Sequence, residues 1–477
     1  MSAKPIAVGR RTPALVVLCA VQFMLVLDDT VVSVALPSIR DELGFGTANL
    51  AWVANAYFLA FGGLLLLGGR AADLFGRRRV FLCGVALFGA ASLVCGLAGE
   101  PWQLVAGRFL QGAGAALASP ASLSLITLLY PGPEERARAL GVWGGIAALG
   151  ATMGLVLSGV LTGLASWRWI FLVNLPVAVL ALALLPRLVA ESRAGRSGRA
   201  ARLDVPGAVL GTGALSLLVY GLLQAGEAGW SAPAAVVPLL LAVLLAPAFL
   251  VVESRKRDPL VPLSFLVVRV RAVANGATLL FSAACYAMAF LLMIQLQTVL
   301  GYEPLTAGLA YLPYGAGILT GMWLSSRALA RLGARSALVL SFLVSGAGLL
   351  LLAGIAPGDG YVSGVLPGLL VTSLGCGLSL PVLTVVAVAG TTEEDAGLGS
   401  ALLTSVQQLG GAVGLAVLVA LAAGHGPTAT AGYSLALTVA AALLGLGAVL
   451  IAALLGRHPL GAGAAHTTAH TTVHAPG

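Results

Sequence analysis

Stretches of about 20 apolar residues alternate with short polar breaks from one end of the 477-residue chain to the other. Runs of that length cross a hydrocarbon core as α-helix. Fourteen are predicted, centred roughly on residues 25, 58, 88, 116, 150, 178, 214, 243, 285, 318, 346, 374, 410 and 443. They are continuously apolar, whereas the strands of a membrane barrel alternate apolar and polar in units of about ten residues. An even number of spans puts both termini on one side. Composition agrees with an all-α polytopic membrane protein: 59% of residues are hydrophobic, 9% are charged, and the mean hydropathy is +1.00.

Basic residues orient the spans, because cytoplasmic loops carry an excess of Lys and Arg. With the N-terminus inside, 23 of the 26 fall on the cytoplasmic side, Arg40 and Arg168 fall outside, and Arg108 lies within a span. Both termini are therefore expected in the cytoplasm and the chain in the plasma membrane. Topology accounts for the net charge of +8, and no nucleic-acid partner is implied. The basic start followed by an apolar stretch resembles a signal peptide, but the stretch is too long and carries two acids, so it reads as a retained first span. The five cysteines lie in apolar segments without C-x-x-C spacing and read as packing residues rather than disulfides or zinc ligands.

An Arg-rich polar stretch, Arg187 to Asp204, follows the sixth span, and a second basic break, Glu253 to Pro259, follows the eighth. The expected organisation is an N-terminal six-helix bundle (1–190), a cytoplasmic linker with two inserted helices (191–260), a C-terminal six-helix bundle (261–457) and a disordered tail (458–477). An internal echo supports two similar halves. The loop after the second span, Gly69 to Arg79, is matched in the later half by Ser326 to Arg335, where glycine (Gly76, Gly333) and arginines recur at the same offset and the acid Asp73 does not. In the tail, His466, His470 and His474 are four apart, a spacing that would align them on a helix. So Thr- and Gly-rich a stretch favours disorder instead, and no metal site is predicted.

Asp28 and Asp29, near the end of the first apolar stretch (Thr12 to Leu36), are the carboxylates placed inside a span. An intramembrane acid is costly. Neighbours on a helix point about 100° apart, so one is expected to line a cavity and the other to lean toward the interface or a helix cap. A carboxylate in a low-dielectric site is suited to taking and releasing a proton; the alternative is that both sit hydrated at headgroup level. Arg108, deep in the fourth span, must meet a carboxylate, carbonyls or water. It would bind an anionic group, tune Asp28, or serve structure alone. Asn55, Gln111, Gln295, Gln297 and Gln407 join Asp28 as candidate polar residues of a substrate cavity. Glycines four apart, such as Gly141/Gly145, Gly150/Gly154 and Gly317/Gly321, allow close helix packing. No metalloprotease, phosphate-loop or serine-hydrolase signature occurs, so neither an enzyme nor a cofactor is implied, and pumping would draw on an ion gradient.

With these residues in view, the chain resembles the major facilitator superfamily, and within it the fourteen-span drug:proton antiporters (EmrB/QacA-like). Leu27-Asp28-Asp29-Thr30 through Ala35-Leu36-Pro37 is similar to the first-span motif L-D-x-T…A-L-P, with Asp28 as the motif acid. Gly69 to Arg78 is similar to the loop motif G-x-L-a-D-r-x-G-r-k, with Ala71 in place of leucine. The resemblance implies a conformational latch of Gly69, Asp73, Gly76, Arg77 and Arg78. Leu104 to Gly114 is similar to the fourth-span motif, which implies a proton-coupling role for Arg108 beside Asp28. Ser166 to Asn174 (SWRWIFLVN), Gln297 to Pro304 and Gly397 to Val417 also look typical. The fifth-span antiporter motif G-x-x-x-G-P-x-x-G-G appears as Gly150, Gly154, Leu155, Ser158 and Gly159. Leucine thus replaces proline and serine replaces a glycine, which weakens the inference of antiport direction.

The expected activity is proton-coupled export of amphipathic drugs, antibiotics or similar small molecules by alternating access, with the protein working as a monomer. A neutral or monocationic substrate suits so few intramembrane acids. A symporter or importer of the same fold, or a membrane sensor that binds without transporting, are the alternatives.

Overall fold

A computed structural model describes the chain apart from residues 1–7, 47–48, 193–202, 257–258, 260, 262–264, 266, 357, 390, 392, 425–428 and 457–477. Most of the Arg-rich linker and the whole tail with His466, His470 and His474 thus lie outside the described residues. The described chain is all-helical, as lipid requires of a spanning chain that must satisfy its own backbone. In order come α1 (Val8–Leu43), α2 (Trp52–Phe75), α3 (Arg77–Gly96), α4 (Pro101–Leu129), α5 (Pro133–Leu164), the single turn α6 (Trp169–Leu172), α7 (Asn174–Leu188), α8 (Val205–Ala228) and α9 (Pro233–Arg255). They are followed by α10 (Arg269–Thr298), the short α11 (Pro304–Ala310), α12 (Leu312–Ala353), α13 (Leu366–Ala387), α14 (Glu393–Gly424) and α15 (Ala429–Leu454).

Among the described residues, 13 helical stretches are long and apolar enough to cross a membrane, and the molecule is a multi-pass membrane protein. One stretch, Pro304–Ala353, is 50 residues long, and its backbone breaks at Gly333, where φ is 72°. Gly76, between α2 and α3, has φ 109°. Both glycines of the internal echo therefore hold a backbone conformation that side-chain-bearing residues avoid.

Close packing rests on small residues. A Cβ on Gly68 of α2 would stand 2.0 Å from the Ala116 carbonyl of α4, and one on Gly114 of α4 would stand 2.7 Å from the Phe88 nitrogen of α3. The later helices repeat the device: a Cβ on Gly377 of α13 would stand 2.1 Å from the Ile318 carbonyl of α12, and one on Gly348 of α12 would stand 2.4 Å from the Thr372 nitrogen. Helices this close gain dispersion contacts that lipid cannot supply equally. Of the inserted pair, α8 packs on α2 and α14 through Gly63 against Thr212 and Gly226 against Ala420. Its partner α9 leaves Val237, Leu240, Val243 and Leu244 exposed, a lipid-facing surface.

The fifth-span glycines divide their contacts. Gly150 and Gly154 lie against Phe23, Leu27 and Thr30 of α1, whereas Gly159 lies against Pro304 and Leu305 at the start of α11. Ser158, the departure from the glycine-rich motif, donates to the Val31 carbonyl and ties α5 to α1. Leu155 leaves α5 helical from Pro133 to Leu164, as expected without the proline. Toward the Leu43 end of α1, the chain is closed by this α5–α11 contact and by Gln297 Nε2 donating to the Val34 carbonyl at 2.9 Å. Toward the opposite, basic end, positions 141, 144 and 145 of α5 face open space.

Gly68→Ala is predicted to lower stability by about 1–3 kcal/mol, because its methyl meets backbone. Gly69→Ala, whose methyl would come no nearer than 3.8 Å to Pro120, should gain up to about 1 kcal/mol from helix propensity. Thermal melts of the two purified variants in detergent check this; equal melting temperatures would contradict the packing.

Candidate functional site

The aspartates do not sit near a helix end. Residues 28 and 29 lie in the middle of α1, which runs on to Leu43, and Asp28 is 0% exposed. The hydrated headgroup placement is thereby excluded for Asp28.

Arg108 of α4 is also fully buried and reaches Asp28 with Nη1 at 2.5 Å from Oδ2. The same nitrogen donates to Gln111 Oε1 at 2.9 Å, and Nε donates to the Val53 carbonyl at 2.8 Å. Its guanidinium carbon stands 4.5 Å from the Tyr57 ring centroid. Asp28 Oδ1 accepts from Gln111 Nε2 at 2.9 Å and from Asn174 Nδ2 at 2.8 Å, and Ser92 Oγ joins both amides. Five helices, α1, α2, α3, α4 and α7, thus converge on one neutral ion pair. Burying either charge alone would be prohibitive, and the added hydrogen bonds offset the desolvation of the pair. Asn174 and Ser92 had no signal of their own in the sequence beyond Asn174 closing the SWRWIFLVN stretch.

Asp29 points elsewhere. With Thr30, Ser33 and Phe58 it lines a cavity of about 310 Å³ whose far wall is Phe281, Cys285, Tyr286, Phe290, Tyr311, Tyr314, Cys376 and Gln407. Asp29 bears the one carboxyl group among the described lining residues, and its Oδ1 has no protein partner. It also lies within electrostatic reach of Arg108 and Asp28. Phe58 and Tyr286 meet edge-on across the cavity at 5.0 Å. The size suits a drug-sized ligand, and an apolar wall with few polar groups is usual for such sites.

The polar candidates are therefore scattered. Gln407 lines the cavity. Asp28 and Gln111 belong to the ion-pair network, and Gln297 holds the closed end. Asn55 and Gln295 are buried outside the cavity wall, with both amide atoms of Asn55 and the oxygen of Gln295 unpartnered. Sequence polarity identifies buried polar residues but not which way a helix is turned. Asp29 was legible only as the alternative to Asp28.

At the basic end, Asp73 pairs with Arg77 at 3.1 Å within its own loop. Glu191, which the sequence did not single out, accepts from the backbone nitrogens of Arg78 and Arg79 at 3.2 and 3.1 Å and lies against Gly76. A carboxylate there complements the N-terminus of α3. Gly69 faces Pro120 of α4. Among the described residues, these bonds stay within the first seven helices and the segment just after α7.

Asp28→Asn should cost about 3–5 kcal/mol by leaving Arg108 buried without its counter-charge. The double variant Asp28→Asn/Arg108→Gln is expected to recover part of that loss, because no charge is then stranded. Unfolding of the single and double variants in detergent reads the coupling; strictly additive losses would contradict a paired site.

Residues 18–415 match the Major Facilitator Superfamily. The chain is 42% identical over 459 residues to the puromycin resistance protein pur8 of Streptomyces alboniger, covering 92% of this chain and 90% of that one. It is 41% identical over 450 residues to the lincomycin resistance protein of Streptomyces lincolnensis, with 93% and 90% covered. Similar solved folds include a bacterial homologue of the human lysosomal transporter Spinster, inward-facing and unoccupied (TM-score 0.64, 16% identity, 95% and 98% covered). Another is the peptide transporter POT in complex with sulfate (TM-score 0.67, 17% identity, 92% and 95% covered). Fold, span pattern and sequence agree that the chain belongs to the major facilitator superfamily, a family of transporters rather than enzymes.

Proposed function

We propose that the protein exports amphipathic drugs or antibiotics by alternating access in exchange for protons. The observation that carries this reading is the aromatic cavity with its single carboxylate, Asp29. Relatives named for resistance to puromycin and lincomycin, and the cephamycin export protein CmcT of Amycolatopsis lactamdurans at 40% identity, support export as the direction.

In this reading the break at Gly333 separates two spans, so that fourteen cross the plasma membrane with both termini in the cytoplasm. Residues 1–190 and 261–457 form two six-helix bundles that rock about the cavity, with α8 and α9 inserted beside the α2–α14 seam. The repeated glycine contacts of α2–α4 and α12–α13 support the duplication. The closed Leu43 end and the open basic end correspond to a cavity facing the cytoplasm, with Asp73 paired to Arg77 of its own loop. One chain suffices for the pathway.

Asp29, rather than the motif acid Asp28, then exchanges the proton. Its carboxylate faces the cavity without a protein partner, whereas Asp28 is already committed to Arg108, Gln111 and Asn174. A cationic amphiphile and a proton would compete for the same negative charge, which couples efflux of one to entry of the other. The ion pair of Asp28 and Arg108 holds α1 in the register that aims Asp29 and senses its charge through space. The altered fifth-span motif at Leu155 keeps a second reading, proton symport, open. The direction of counterflow in sealed vesicles separates the two.

In inverted vesicles with a proton gradient, Asp29→Asn is predicted to abolish uphill accumulation of cationic dyes, a loss of at least about tenfold, while the variant melts like wild type. Uphill pumping at the wild-type rate by Asp29→Asn would overturn the assignment.

A further inference from the structure

The cavity wall holds two thiols that the transport reading leaves without a role. Cys285 of α10 and Cys376 of α13 are 91 residues apart in sequence, yet their Sγ atoms stand 3.2 Å apart, and both residues are buried and line the cavity. Ser345 Oγ approaches Cys376 Sγ at 3.9 Å from α12. Tyr311 and Tyr314 line the same wall. The other three cysteines, Cys19, Cys83 and Cys95, have no such neighbour among the described residues.

From this juxtaposition we propose that Cys285 and Cys376 form a dithiol site for a soft, two-coordinate cation such as Cu(I) or Ag(I) in the cavity wall. Paired sulfur ligands without imidazole or further carboxylates select soft metals over Zn(II), which takes four ligands. Among the described residues no group of three or more His, Cys, Asp and Glu is placed to hold a metal, so higher coordination is not supplied.

A two-coordinate metal places its sulfurs on opposite sides, roughly 4.6 Å apart if each bond is about 2.3 Å long. Each thiol therefore swings outward by about 0.7 Å from the present 3.2 Å contact, and the adjoining cavity leaves room for it. The step balances when both thiols release their protons to solvent as one monovalent cation binds, because a metal-bound cysteine is a thiolate. The occupied site then carries one net negative charge, half that of the two bare thiolates, beside the open cavity. The cavity gives the cation its entry path, and Asp29 in the same cavity attracts it.

The test is equilibrium dialysis of Ag(I) against the full-length protein in detergent, after reduction and removal of the reductant. Wild type and Cys83→Ser are expected to bind one tight equivalent that protects two thiols from maleimide. Cys285→Ser and Cys376→Ser should each weaken that binding at least 100-fold while keeping a monodisperse elution profile and the wild-type melting temperature. Serine preserves size, so an unchanged melting temperature separates loss of the site from misfolding, and because metal binding is read without transport, failure of the transport reading leaves the test intact. Tight binding that survives the double variant Cys285→Ser/Cys376→Ser, or that disappears with Cys83→Ser, would overturn the proposal.

Discussion

The architecture of the first seven helices depends on one buried charge pair. Arg108 cannot shed its charge, and at 0% exposure it has no water to turn to. Asp28 answers it at Nη1, Gln111 and the Val53 carbonyl accept further bonds from it, Asn174 holds Asp28 in place, and Nη2 has no protein partner. The directional bonds fix the rotation of α1 against α2, α4 and α7, which apolar packing alone would leave free to slide. The neighbouring contacts conform to that register. Gly154 lets α5 approach Leu27 and Thr30, and Ser158 bonds the Val31 carbonyl about one turn beyond.

Once Asp28 is locked inward, helix geometry sends Asp29 about 100° away, into the cavity. Two adjacent acids thereby divide one task. The first is neutralised within the protein and holds position; the second keeps an open face for whatever enters. A cavity with one carboxylate and aromatic walls discriminates by charge first and shape second. That matches a transporter of amphipathic compounds better than one built around directed hydrogen bonds, which would reject close analogues.

The sequence made the membrane setting legible because lipid leaves the backbone few solutions. Gly76 and Gly333 also stood out as the recurring glycine of the internal echo, and both adopt positive φ. What the sequence could not give was rotation about each helix axis. Asp28, Asn55, Gln111, Gln295, Gln297 and Gln407 look alike as polar residues in apolar runs, yet among them Gln407 faces the cavity. Gln297 instead bonds the Val34 carbonyl across the closed end. The aromatic wall was invisible for the same reason: Phe281, Tyr286, Tyr311 and Tyr314 blend into their spans until helices far apart in sequence meet. Glu191 escaped notice because it reads as one more charge in a polar linker, although it caps α3.

The central claim is that the charge exchanged in the cavity belongs to Asp29 and not to Asp28. Proton release on substrate binding, measured with a pH indicator in weakly buffered detergent solution, tests it most directly. Binding of a cationic substrate should expel a proton from the wild-type protein, and no proton should leave when Asp29→Asn binds the same compound. Undiminished proton release from Asp29→Asn would place the exchange at another group and contradict the account.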